Sequence, residues 1–233
     1  MLKIDGLHAY YGRAHILADV AFAVAPGEVV VLLGRNGAGK STTLKSIMGL
    51  VPPAAGRILF RGTDIAGRQP FEIARLGLGY VPEDRRIFTE LTVEENLEVG
   101  RRPPSSDAPE WTADRLFILF PNLARMRGRP GSQMSGGEQQ MLTIARTLMG
   151  NPSFVLLDEP SEGLAPVIIE QMARTILDLK QHGLTVLLSE QNLHFARAVA
   201  DRALIIEKGR IRFAGTMTEL MANEAVRTQY LSL

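Results

Sequence analysis

Three short stretches carry residue types that handle phosphate. In "VVVLLGRNGAGKSTT", Gly34, Gly39, Lys40 and Ser41 are spaced G-x-x-x-x-G-K-S, with an apolar β-rich run before them and a helical pattern after. The loop from Gly34 through Arg35, Asn36, Gly37 and Ala38 to Gly39 would close its backbone N–H groups around a β-phosphate. Lys40 would reach the β/γ oxygens, Ser41 would offer a hydroxyl to Mg²⁺, and Thr42 completes the cradle. "FVLLDEP" is an apolar strand ending in two acids. Asp158 would hold Mg²⁺ through water, and Glu159 would orient or activate an attacking water. Acids often cap strand ends near solvent, so "DE" gains its meaning from sharing one α/β sheet with the first stretch. In "MSGGEQQ", Ser135 and Glu138 form a helix-opening capping box, but that box does not explain Gly136 and Gly137. Successive glycines cost backbone entropy, and they fit a place where another molecule's phosphate approaches the backbone.

Short β-rich runs alternate with helical stripes, which predicts a mostly parallel sheet covered by helices. Residues 28–34, 154–160, 185–191 and 202–209 read as its strands. One helix runs from Ser41 to near Gly49. A second opens at Pro166, carries the stripe Ile169, Met172, Ala173, Ile176 and Leu177, and closes at Gly183. Residues 3–25 and 57–66 read as antiparallel strands beside the main sheet, and "IIEKGRIRFAG" (205–215) as a hairpin around Lys208–Gly209. Residues 92–150 read as mostly helical, with a capping box at Thr92 and Glu95. "RRPPSSDAP" (101–109) reads as a surface loop, and Thr216 with Glu219 opens one C-terminal helix.

The chain has 233 residues, 45% hydrophobic and 22% charged, enough for one large domain with a sizeable core. A net charge of +1 gives no basic excess for a nucleic-acid partner, and the absence of cysteine excludes disulfides and thiolate metal sites. No signal peptide is visible, and no apolar run approaches the roughly 20 residues of a spanning helix. The expectation is a soluble chain whose membrane role, if any, comes through partners.

With Lys40, Ser135 and Asp158 in this order, the chain resembles the ATP-binding cassette (ABC) ATPases along essentially its whole length. "MSGGEQQ" resembles their signature, usually LSGGQ or LSGGE. The resemblance implies a P-loop NTPase (RecA-like) core with a mostly parallel sheet, an antiparallel β subdomain and an α-helical subdomain. The expected single domain spans 1–233, with core and β part over about 1–82 and 151–233 and the helical part over about 83–150. It also implies ATP and Mg²⁺, and a head-to-tail pair in which Ser135, Gly136, Gly137 and Glu138 of one cassette cover the γ-phosphate held by the other. Tyr11 falls where an aromatic stacks on adenine; Tyr10 is the neighbouring alternative, and a plain strand aromatic is the other.

Departures from the family pattern narrow the resemblance. Glu83 replaces the usual Gln of the Q-loop, an acid that would still face Mg²⁺ and water. Gln191 replaces the usual His after the strand, so its part is hydrogen bonding and not proton transfer. "SEGLAP" carries Ala165 where an Asp is usual, and His194 reads as a surface or helix-face histidine. Together these resemble the smaller ATPase of importers for branched-chain and other hydrophobic amino acids, or the related urea and short-amide importers. The early end after the hairpin and one helix matches that short form. The implied partners are two membrane-spanning permease subunits, a second, larger ATPase or a second copy, and indirectly an external solute-binding protein. The implied place is peripheral, at the cytoplasmic face of the cell membrane. A DNA-repair cassette would need a coiled coil between Lys40 and Ser135, a translation factor two cassettes, and a P-loop kinase or GTPase would leave the signature unexplained. A regulatory module without turnover would lack the acid that Glu159 supplies.

Overall fold

The computed structural model of the protein describes residues 1–104 and 110–231. Residues 105–109 of the expected surface loop lie outside the described residues.

The elements follow in chain order. β1 (Leu2–Tyr11), β2 (Ala14–Val24) and β3 (Val29–Leu33) precede α1 (Lys40–Ile47). β4 (Ala55–Phe60), β5 (Thr63–Asp64), α2 (Pro70–Arg75) and β6 (Leu78–Val81) come next. The helices α3 (Val93–Gly100), α4 (Ala113–Leu119), α5 (Pro121–Ala124) and α6 (Gly136–Leu148) lead to β7 (Phe154–Asp158). Then come α7 (Pro166–Gln181), β8 (Thr185–Glu190), α8 (Leu193–Val199), β9 (Arg202–Glu207), β10 (Arg210–Thr216), α9 (Met217–Ala222) and α10 (Glu224–Leu231).

Two sheets result. The six-stranded one has the order β10-β9-β3-β8-β7-β6, parallel except for β10, and the four-stranded antiparallel one has the order β2-β1-β4-β5. The central strands are buried on both faces, as continuous apolar runs in parallel sheets are. Their side chains alternate between two cores. Val29, Val31, Leu33, Val155 and Leu157 join the helices of the α3–α8 side, while Val30, Leu32, Phe154 and Leu156 pack toward α1 and the four-stranded sheet.

The three capping boxes form at Thr92, Ser135 and Thr216, each cap satisfying helix N–H groups that would otherwise be orphaned. Pro166 stands at the first turn of α7, and Gly183 follows that helix at φ +81. Some expectations are corrected. The single C-terminal helix is two, α9 and α10, divided at Asn223, whose φ of −98 and ψ of 84 are not helical. β6, α2 and α8 were not expected. β6 is glycine-broken ("LGYV"), and α2 and α8 are too short to show a stripe, so their order comes from packing.

Candidate nucleotide-binding site

Four parallel strands end at the same edge of the sheet. β3 runs into the glycine loop, β7 into Asp158 and Glu159, β8 into Glu190 and Gln191, and β6 into Pro82 and Glu83. This is where open α/β sheets bind ligands. The register sets Asp158 beside Ser189 and Leu33 beside Glu190, so residues distant in sequence meet laterally.

The loop backbone is shaped by two glycines without room for a side chain. A Cβ on Gly34 would stand 2.5 Å from the Ile206 carbonyl oxygen. Gly39 adopts φ +113 with Leu17 Cδ2 only 2.8 Å from a Cβ. Lys40 is 4% exposed, and its ammonium donates to the carbonyls of Gly34 (2.9 Å) and Arg35 (3.2 Å). It also pairs with Glu159 Oε1 at 3.0 Å. An arriving phosphate must therefore take Lys40 from Glu159.

Ser41 Oγ donates to Asp158 Oδ1 at 2.9 Å, and Ser189 Oγ donates to the same oxygen at 2.7 Å. Tyr80 donates its hydroxyl to Asp158 Oδ2 at 3.0 Å; burial and then the Asp158 charge push this phenol far above its ordinary value, so it stays a donor. Among the described residues no cluster of three His, Cys, Asp or Glu could cage a metal alone. The hydroxyl–carboxylate pair Ser41–Asp158 instead suits Mg²⁺ carried on phosphate oxygens, which takes one or two protein ligands and keeps its waters.

Glu159 sits at φ +46, 7% exposed, with its backbone N–H donating to Ser189 Oγ at 3.0 Å. Gln191 Nε2 donates to its Oε2 at 2.6 Å. Burial by itself would raise the Glu159 pKa. The Gln191 hydrogen bond and the Lys40 ammonium outweigh burial and hold it below the usual carboxylate range. Glu162 shares a hydrogen bond with Glu159; that contact first, then burial, pushes Glu162 upward. The two carboxyls are thus pushed apart, Glu159 down and Glu162 up.

The pocket over the loop has a volume of about 410 Å³ and is lined by Tyr11, Asn36, Gly37, Gly39, Lys40, Ser41, Thr42, Glu83, Glu159 and Glu162, with Ile16. Tyr11 opens onto it, whereas Tyr10 stacks on His15 with ring centroids 4.3 Å apart. Of the two aromatics, only Tyr11 lines this pocket. Glu83 stands exposed at the rim and Ala38 is buried behind the loop. Gln191 reaches the site only through Glu159, and His194 is an exposed residue of α8.

Ser135, Gly136, Gly137 and Glu138 do not line this pocket. They open α6, where Ser135 Oγ accepts the Glu138 N–H at 3.4 Å and Glu138 Oε2 accepts the Ser135 N–H at 2.7 Å. Each glycine also has a close neighbour within the chain, at Gly136 only the flexible end of an arginine. A Cβ on Gly136 would meet the Arg85 guanidinium at 2.6 Å, and one on Gly137 would meet Ile168 at 3.0 Å.

Sequence reasoning missed Tyr80, Ser189 and Glu162. A hydroxyl closing the apolar run "TVLLS" was a usable signal for Ser189. Nothing in "GLGYV" marks Tyr80.

Residues 17–162 match the ABC transporter family. The chain is 45% identical over 231 residues to the high-affinity branched-chain amino acid transport ATP-binding protein BraG of Pseudomonas aeruginosa, covering 99% of each chain. It is 39% identical over 226 residues to the lipopolysaccharide export system ATP-binding protein LptB of Escherichia coli K12, covering 96% of this chain and 93% of that one. A solved structure of the ATP-binding subunit of an ABC transporter superposes with a TM-score of 0.83 at 32% identity, over 100% of this chain and 96% of that chain. The phosphate cradle, the paired acids at the end of β7 and these likenesses agree: the chain belongs to the ABC transporter family, as an ATP-binding subunit that hydrolyses ATP to power transport.

Proposed function

We propose that this subunit energises import of branched-chain and other hydrophobic amino acids. The observation that carries the reading is the 45% identity to BraG across 99% of both chains, against 39% to LptB. "YVPE", "SEGLAP" and "LLSEQN" point the same way.

In the proposed cycle ATP displaces Glu159 from Lys40, and the freed ammonium takes the β/γ oxygens while the loop N–H groups hold the β-phosphate. Tyr11 stacks on the base. Ser41 and Asp158 would hold Mg²⁺, with Glu83 facing it from the rim; when bound, the metal neutralises charge between the β- and γ-phosphates. Ionised Glu159, kept in place by Gln191, accepts a proton from the attacking water. Ser135, Gly136, Gly137 and Glu138 cover the γ-phosphate of a partner cassette, either a larger ATPase or a second copy. The fold supports the proposed division into one domain over 1–233, with a helical part over about 83–150. None of the helices over the described residues is long and apolar enough to cross a membrane. The subunit works peripherally at the cytoplasmic face on two membrane-spanning permease subunits, which receive solute from an external binding protein. A groove of about 350 Å³ beside Leu50, Tyr80, Arg86, Arg102 and Arg146 is the surface they would dock on.

Gln191→Ala is expected to slow turnover about 10- to 100-fold through loss of one charge-assisted hydrogen bond, with ATP affinity retained. Steady-state rates at saturating ATP test this, and an unchanged rate would make Gln191 a bystander. For the solute, uptake of labelled leucine and labelled urea is compared in source cells carrying wild-type or Lys40→Ala protein. Loss of leucine uptake alone is expected. Loss of urea uptake alone would move the subunit to the urea and short-amide importers. If neither changes, both solutes fall and an ATPase of another transporter remains.

A further inference from the structure

Glu190 ends β8 inside the protein, 2% exposed, and does not line the phosphate pocket. Its Oε1 accepts the Ser161 backbone N–H at 3.0 Å, and the Ser161 hydroxyl also donates to this carboxylate. Its Oε2 accepts the backbone N–H groups of Gln191 at 3.2 Å and Asn192 at 3.3 Å. No cation pairs with it among the described residues. Burying a carboxylate without a cation is costly: burial pushes the Glu190 carboxyl upward, and the donors from Ser161, Gln191 and Asn192 oppose that push without outweighing it. A neutral side chain would end the strand at lower cost. What the two carboxyl oxygens add is a bond to two chain segments at once. One is the turn after β7, leading from Glu159 through Ser161 and Glu162 to Ala165. The other is the turn after β8 that carries Gln191.

We propose that Glu190 is a positioning residue that clamps the 161–165 segment to the Gln191 turn. Gln191 then meets Glu159 only while that segment is in place. The inference rests on the roles proposed for Glu159 and Gln191. The contact at stake is the 2.6 Å hydrogen bond from Gln191 Nε2 to Glu159 Oε2. Without the clamp both turns keep their sequence but lose their common anchor, and the alignment of Glu159 loosens. A displacement on this scale is enough to slow a reaction that depends on oriented water.

The test is ATP turnover by the full chain assembled with its membrane partners, read above the Lys40→Ala background. Glu190→Ala is expected to lower kcat about tenfold or more, with the KM for ATP changed by less than about twofold, because Glu190 touches no nucleotide. Glu190→Gln is expected to fall between it and wild type, since an amide oxygen can accept at one end only and holds one turn at a time. In a Gln191→Ala background the Glu190→Ala change should cost less than about threefold, because the contact it positions is already gone. A raised KM at unchanged kcat would overturn the clamp, and so would losses that multiply fully in the double variant. If Gln191→Ala slows turnover but Glu190→Ala does not, the clamp alone falls. If neither slows it, the role proposed for Gln191 falls and the clamp with it. Should Glu190→Ala fail to fold, Glu190→Gln carries the same comparisons.

Discussion

Replacing Glu159 with glutamine is expected to lower ATP turnover about 10²- to 10⁴-fold while ATP binding persists. The amide can still accept from Gln191 or donate to a water, but it cannot take a proton. Binding persists, and is expected to tighten, because the substitution removes the competitor that holds Lys40 at 3.0 Å. The variant should therefore accumulate as an ATP-bound dimer, visible by size-exclusion chromatography with ATP and absent with ADP. The nucleotide-free variant should also be less stable. It leaves a buried ammonium with no carboxylate, only the carbonyls of Gly34 and Arg35 and a neutral amide oxygen, a loss of about 1–3 kcal/mol that bound ATP restores. Rapid hydrolysis by this variant would show that another group is the base.

Lys40→Ala is expected to weaken ATP binding about 10- to 100-fold, through lost charge-assisted bonds to phosphate, and to take hydrolysis to background. It also exposes what the Lys40–Glu159 pair does for the resting fold. With Lys40 present, Glu159 is held below the usual carboxylate range. A depressed carboxylate contributes stability that is present above its unfolded pKa and lost as pH falls through the folded value. Without Lys40, burial acts on Glu159 with only the Gln191 and Glu162 hydrogen bonds opposing it. The stability gap between wild type and Lys40→Ala, measured by urea unfolding without nucleotide, should be widest near neutral pH. It should close as pH drops through and below the ordinary glutamate range. A gap independent of pH would mean that the pair contributes nothing to the resting state. ATP affinity equal to wild type, read by titration with a fluorescent analogue, would remove Lys40 from the phosphate site.

The chemistry of the site was legible because it depends on residue type at short spacing. A loop that wraps a phosphate needs Gly34 and Gly39 at that separation, with a lysine and a hydroxyl immediately after. Likewise, the capping boxes at Thr92, Ser135 and Thr216 are contacts across three residues, so the chain carries them locally. The central strands were readable for a related reason: continuous apolar runs such as "VVVLL" and "FVLLD" suit only a strand buried on both faces.

What the sequence could not carry is lateral. Ser189 donates to Asp158 because β8 lies beside β7 with those two residues in register, and Tyr80 reaches the same carboxylate because β6 closes that edge. Tyr11 and Tyr10 are neighbours on one strand, yet alternation of strand side chains and the His15 ring separate them. The two glycines of "SGGE" illustrate both levels. Their sequence context pointed to a phosphate approaching from outside, while the fold adds Arg85 over Gly136 and Ile168 against Gly137. The sequence alone determined the phosphate loop and the paired acids, since each of these motifs is spelled within a few residues. The tertiary structure decided that Lys40 and Gln191 both meet Glu159 and that the Glu190 carboxyl is buried between the two turns. Those are contacts between strand ends far apart in the chain, and sheet order and register alone create them.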